Sequence, residues 1–406
     1  MIFMAMLLLA MSVEPVARRL HIPFTALLVV VGFAGSELVV AAGGDTGLRW
    51  RDFNYLILHV FVPVLVFESA FNMQAGILLR NLPLVLVLAI PAMLLAAGVT
   101  GLVVYFGIGY PQAFPLVAAL LCGVIVSATD PVAVVALFRE LGAPPRLAAL
   151  LEGESLFNDG IAVVVYSLLV AMAVNPDEAV GTGAVIITFF YMFVGGVLAG
   201  LAVGILAALL SRLFSGAVPL ASISLITACS AFYLAEHFLH VSGIVAVLCA
   251  GLLLGERYRR GTGTSEQHFS ARLWELGAYI ANALLFLLLG VTVTLGMFSS
   301  QWFAMLLGIA GAIVARAGVI HLLLRPIARA LPVEPLPASY RPVIMWGGLR
   351  GAVAAALALS LPTDIESWYT IQSIAYGVVL FTLFVQAPLM PRLVRRTLPV
   401  GAADRA

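Results

Sequence analysis

Lysine is absent from this chain of 406 residues, so all 21 basic positions are arginine. Charge of either sign is scarce: 10% of the residues are charged, and a formal net charge of +1 argues for neither nucleic acid nor acidic partners. Cysteine is limited to Cys122, Cys229 and Cys249, each inside an apolar segment and without metal-like spacing. They read as small core residues and not as disulfides or ligands. A removable signal peptide is not evident, because Met1 to Val13 leads into an arginine-containing loop without the pattern such peptides carry. No HExxH occurs, and no intramembrane Ser/His pair has suitable context, which argues against a membrane-embedded hydrolase.

What remains is apolar. Hydrophobic residues make up 63% of the chain, and stretches long enough to cross a bilayer recur from end to end. The fold class is an all-α polytopic membrane protein of about 13 transmembrane helices. The expected spans are 1–15, 22–42, 53–70, 82–106, 113–139, 147–173, 183–211, 219–237, 240–256, 272–295, 301–324, 341–361 and 371–391. With the N-terminus outside and the C-terminus in the cytoplasm, seventeen arginines fall in inside loops: Arg18, Arg19, Arg80, Arg139, Arg146, Arg212, Arg257, Arg259, Arg260, Arg272, Arg325, Arg329, Arg341, Arg392, Arg395, Arg396 and Arg405. Only Arg49 and Arg51 fall outside, together with Asp177, Glu178, Asp364 and Glu366. Arg316 and Arg350 lie within spans and need a reason for being there.

The acids that need a reason are Asp130, Glu152, Glu154 and Asp159, all between Ser127 and Asp159. In the fifth span, Thr129-Asp130-Pro131 sits mid-membrane; Pro131 has no N–H and disfavours helix before it, so Asp130 reads as the N-cap of a second half-helix. In the twelfth, Trp346-Gly347-Gly348-Leu349-Arg350-Gly351 places three glycines around an arginine, which weakens the helix at similar depth. Spans seven apart run in opposite directions. Paired broken helices of opposite sense point to inverted repeats with a site between them.

On the sixth span, Ser155 and Asp159 lie one above the other, and Glu154 and Asn158 form the neighbouring row. Asp159 lies roughly 20 Å into the membrane by residue rise, a depth that Asp130 shares, so the two carboxylates can meet. Carboxylates, a hydroxyl and a freed main-chain carbonyl suit a hard monovalent cation. Glu68 is open to two readings, a ligand or a structural acid near a helix end, and Glu152 either lines a funnel or is merely solvated. The histidines, His21, His59, His237, His240, His268 and His321, stand mostly at span ends or in loops. A cation channel would use acid rings or carbonyl filters, which paired broken helices argue against.

These residues closely resemble the NhaP-type sodium/proton antiporters of the monovalent cation:proton antiporter family. The likeness rests on Thr129-Asp130-Pro131, Glu154-Ser155-x-x-Asn158-Asp159, Arg316 in VARAGV and Trp346-Gly347-Gly348-Leu349-Arg350-Gly351-Ala352. Phe67-Glu68-Ser69 and Asn282-x-x-Leu285-Phe286-x-Leu288-x-Gly290 extend it. The resemblance implies one transporter unit over 1–406, with core helices in 82–173 and 301–391, dimerisation helices in 1–70 and 219–295, and a linking helix at 183–211. It further implies a secondary antiporter, a homodimer among lipid that uses no cofactor and exchanges Na+ or Li+ for H+ by alternating access; the short stretch after the last span favours a prokaryotic cytoplasmic membrane. Potassium/proton exchange is the alternative on the same scaffold. Asp159 would carry proton or cation, with Asp130, Ser155, the Thr129 main chain, Asn158 and Glu68 around it. Asn158-Asp159 in place of Asp-Asp looks like the electroneutral branch. Glu154 and Arg316 would form a structural pair, and Arg350 would stabilise the broken helix.

Overall fold

The computed structural model describes residues 2–20, 22–43, 50–109, 114–175, 181–261, 263–323 and 336–398. Arg49, Arg325, Arg329, Arg405, Asp177, Glu178 and His21, which enter the orientation and histidine arguments, lie outside them. Among the described residues all regular structure is helical. The first four helices are α1 (Ile2–Leu20), α2 (Phe24–Ala41), α3 (50–72) and α4 (Ala75–Gly109). The fifth segment is split into α5 (Leu116–Ile125) and α6 (Val132–Leu141). Then follow α7 (Pro145–Val174), α8 (Thr182–Leu210), α9 (Ala217–Phe238), α10 (Gly243–Gly261), α11 (Thr264–Thr292) and α12 (295–323). A second split segment, α13 (Tyr340–Trp346) and α14 (Ala352–Leu359), precedes α15 (Trp368–Thr397).

Nine of these helices, among the described residues, are long and apolar enough to cross a membrane. Four segments fall short for visible reasons. α1 carries Glu14, Arg18 and Arg19, α10 carries Glu256, Arg257, Arg259 and Arg260, and the two split segments are too short in each half. This is a multi-pass helical membrane protein.

Several boundaries differ from the sequence expectation. α4 starts at Ala75 and not at 82, α11 at Thr264 and not at 272, and α1 runs to Leu20. Hydropathy stops at the first charges, whereas backbone hydrogen bonding continues past them. Many of the arginines placed in loops therefore sit in helical end turns, Arg18 and Arg19 on α1 and Arg395 and Arg396 on α15 among them, where they complement the negative end of the helix dipole. Cys122 and Cys249 are buried, but Cys229 is exposed and not a core residue, because the outer surface of a span is as apolar as its packed side and composition does not tell the two apart.

Among the described residues five π-helical turns interrupt the long helices, at Ile57–Phe61, Leu88–Ala92, Leu234–Phe238, Val319–Leu323 and Thr382–Gln386. Proline explains three of them: Pro91 lies inside the second, and Pro63 and Pro388 follow the first and last within two residues. A missing N–H unpairs a carbonyl one turn earlier, and the wider turn is one way to absorb the mismatch.

Small residues bring helix backbones together. Gly196, Gly200 and Gly204 recur every fourth residue along α8, and a Cβ at Gly200 would stand 2.3 Å from Ala246 O of α10. Gly290 of α11 is packed as closely against Val29 O of α2. α12 lies against both α4 and α15, so the two split segments are flanked by the same group of helices.

Candidate functional site

The two breaks meet. Asp130 N–H donates to Leu349 O at 2.7 Å, its Oδ1 accepts Val132 N–H at 2.9 Å, and its carboxylate also accepts Ala352 N–H. The N-cap position of α6 is Pro131 and not Asp130, since the proline itself still lies outside the helix. The side chain nevertheless serves the first amide of α6 and the first of α14 together. One carboxylate thus faces the positive ends of two half-helices. Gly351 makes this approach possible: a Cβ there would lie 2.0 Å from Asp130 Oδ2.

The carbonyls freed by the first break are taken up by α7. Ser155 Oγ donates to Thr129 O in a very short contact, and Asn158 Nδ2 donates to Ser127 O at 2.8 Å and to Thr129 Oγ1 at 3.3 Å. Ser127 Oγ in turn bonds Gly123 O at 2.6 Å. Non-helical backbone at membrane depth needs such partners, because no water is there to supply them.

A cavity of about 250 Å³ opens beside the crossing. Asp130, Asp159 and Ser155 line it, with Glu152 and Glu68 further round its wall. Among the described residues Asp159 Oδ1 is buried with no hydrogen-bond partner, and Asp130 lines the same cavity. The Ser155 hydroxyl hydrogen is directed at Thr129 O, so the oxygen's lone pairs remain available. Thr129 and Asn158 do not line the cavity; both face the broken main chain.

Glu154 points the other way. It is 1% exposed, and both terminal nitrogens of Arg316 grip its two oxygens, Nη2 to Oε2 at 3.0 Å and Nη1 to Oε1 closer still. Arg350 is buried away from the cavity of Asp130 and Asp159, in a smaller one that it shares with Arg316 and Trp346.

Three polar residues of the cavity wall were not singled out as ligands from the sequence: Ser69, Asn72 and Asn282. Asn72 Nδ2 donates to Glu68 Oε1 at 2.8 Å and Ser69 Oγ to Oε2 at 3.4 Å. The i,i+4 spacing of Glu68 and Asn72 was the available signal for one. For Asn282 it was an amide alone in an apolar run. None of the described histidines lines the cavity.

Fold and site together define a multi-pass membrane protein with a carboxylate-lined cavity where two broken helices cross. Residues 3–396 match the family model described as "Sodium/hydrogen exchanger, transmembrane", and the chain belongs to that family. It is 35% identical over 393 residues to the Na(+)/H(+) antiporter ApNhaP of Aphanothece halophytica, covering 95% of this chain and 71% of that protein. To the Na(+)/H(+) antiporter NhaH of Halobacillus dabanensis it is 31% identical over 403 residues, covering 96% of each. The fold matches that of the sodium proton antiporter MjNhaP1 from Methanocaldococcus jannaschii with a TM-score of 0.79 at 20% identity, over 97% of both chains.

Proposed function

We propose that this protein exchanges Na+ or Li+ for H+ across a cell membrane, one for one, by alternating access. The observation that carries this reading is that Asp130, Asp159 and Ser155 share one cavity at the crossing of two broken helices. A monovalent cation finds there two carboxylates and a hydroxyl oxygen, with the Thr129 main chain behind them. The two acids differ in how they are held. Asp130 is committed to two amide donors, whereas Asp159 keeps an oxygen without one. The proton that replaces the cation therefore goes to Asp159. Glu154 takes no part because Arg316 holds it, and Asn158 cannot titrate, so one charge moves each way and exchange is electroneutral.

The cavity lies between two groups of helices. Glu68 and Asn282 come from α3 and α11, which belong with α1, α2, α9 and α10 to a dimerisation scaffold. Asp130 and Asp159 come from α6 and α7, in a core of α4 to α7 and α12 to α15, with α8 as the link. Thirteen crossings with the C-terminus in the cytoplasm put Asn72 and Met73 at the arginine-rich face. The cavity then faces inward. Proteoliposomes with an imposed pH gradient, scanned over lithium, sodium and potassium, test the reading. Dissipation by sodium or lithium supports it; response to potassium alone moves the protein to potassium/proton exchange, and response to none removes the antiporter assignment.

A further inference from the structure

α15 carries its π-helical turn, Thr382–Gln386, beside the second break, and the residues at the two ends of that turn hold the two ends of the break. Thr382 Oγ1 accepts Arg350 N–H at 3.3 Å and shares its single proton between Arg350 O at 3.2 Å and Val379 O at 2.8 Å. One turn on, Gln386 Nε2 donates to Trp346 O at 2.6 Å, and Trp346 Nε1 returns a bond to Gln386 O at 3.0 Å. Trp346 is the last residue of α13, and Arg350 stands two before α14. Both Thr382 and Gln386 are buried.

The groups they satisfy are ones that a helix broken inside a membrane leaves without partners. They also flank the residues that hold Asp130. Leu349, whose carbonyl takes the Asp130 N–H, precedes Arg350, and Ala352, whose N–H reaches the Asp130 carboxylate, follows two residues later. Neither Thr382 nor Gln386 lines the cavity.

We propose that Thr382 and Gln386 are positioning residues for the cation site. By fixing Arg350 and Trp346 they set where Leu349 and Ala352 present a carbonyl and an amide to Asp130, and so where that carboxylate stands in the cavity. Thr382→Val keeps the volume of the side chain and removes the hydroxyl. The Arg350 N–H and C=O then seek other partners and carry Leu349 and Ala352 with them. A residue that served stability alone would lower the melting temperature and leave cation binding by the folded protein unchanged.

The proposal rests on the antiporter reading for its functional arm, and the test has a second arm that does not. Wild type, Thr382→Val, Thr382→Ser and Gln386→Met are reconstituted, and exchange is followed against sodium concentration at a fixed pH gradient. Amide hydrogen exchange of Asp130 and of 349–352 is measured on the same preparations. Thr382→Val is expected to raise the half-saturating sodium concentration about tenfold, the scale of one buried hydrogen bond, and to quicken amide exchange at Asp130. Thr382→Ser, which keeps the hydroxyl, is expected to restore both. Gln386→Met removes the other arm and carries the same expectation where Thr382→Val does not insert. Wild-type half-saturation and wild-type amide protection in the variants overturn the proposal, as does a serine variant no better than valine. Absence of cation-driven exchange by the wild type would remove the antiporter reading, and the amide data would still decide the positioning role.

Discussion

Arg316 Nη2 bonds Glu154 Oε2 and the carbonyl of Ile344, both at 3.0 Å, so one guanidinium joins α12 to α7 and to α13. Ile344 lies two residues before Trp346, the last residue of α13. Arg316 holds together the helix that carries Asp159 and the half-helix that leads to Leu349, without touching the cavity that they form.

Removing it should therefore act on stability. Arg316→Ala leaves a buried carboxylate alone, at a cost of about 3–5 kcal/mol. Glu154→Gln together with Arg316→Ala should recover part of this, and the double-mutant cycle built from these two changes, followed by unfolding in detergent, measures the coupling. Strict additivity would show that the two are not an energetic pair.

Asp159→Asn should abolish exchange while the protein still inserts and folds. An amide has nearly the same shape and hydrogen-bonds well, but it neither carries a proton nor balances a cation. Exchange under a pH gradient by the purified variant would reassign the carrier, with Glu68 the next acid on the cavity wall.

Gly351→Ala should destabilise by about 1–3 kcal/mol and remove most exchange, since the added methyl meets a carboxylate and must push the two breaks apart. Its Cβ would stand 2.2 Å from the Cβ of Asp130. Gly35→Ala on α2 is the control, because nothing lies within 4 Å of its Cβ position. Melting curves of the two variants should separate clearly.

Proton and cation should compete. As pH falls through the apparent pKa of the coupled acids, half-saturating sodium should rise, and clamping the membrane potential at zero or at a large value should leave the sodium/proton reversal point unchanged. A reversal point that shifts with potential would place a second proton carrier at the site and end the one-for-one stoichiometry.

The helical class, both breaks and the Asp130, Ser155 and Asp159 constellation were legible because each is local. Proline after an acid, glycines around an arginine and polar residues at helical spacing need no knowledge of the partner helix. What the sequence could not supply was mutual orientation. Asp130 looked like the cap of its own half-helix, and its second amide, from Ala352, comes from a segment more than two hundred residues away. Asn158 shares a row with Glu154, yet its amide goes to the main chain of the break while Glu154 goes to Arg316. Spacing places the two on one face and is silent about which neighbour each meets. Thr382 and Gln386 were invisible for the same reason, since their partners are backbone atoms that become available only because another helix is interrupted.

The π turns alter what the chain can lose. A π turn holds one residue more than the α-helical turn it replaces, so a deletion inside one regularises the helix and leaves everything beyond it in phase. In an unbroken stretch, the same deletion turns every later side chain by about 100°. Removing Val60 should therefore keep Glu68 facing the cavity, whereas removing Val64 should swing it away. These turns work as slack in the reading frame of the helix: length can change there without the polar residues losing their aim, and cysteine labelling at position 68 in the two deletions would show it.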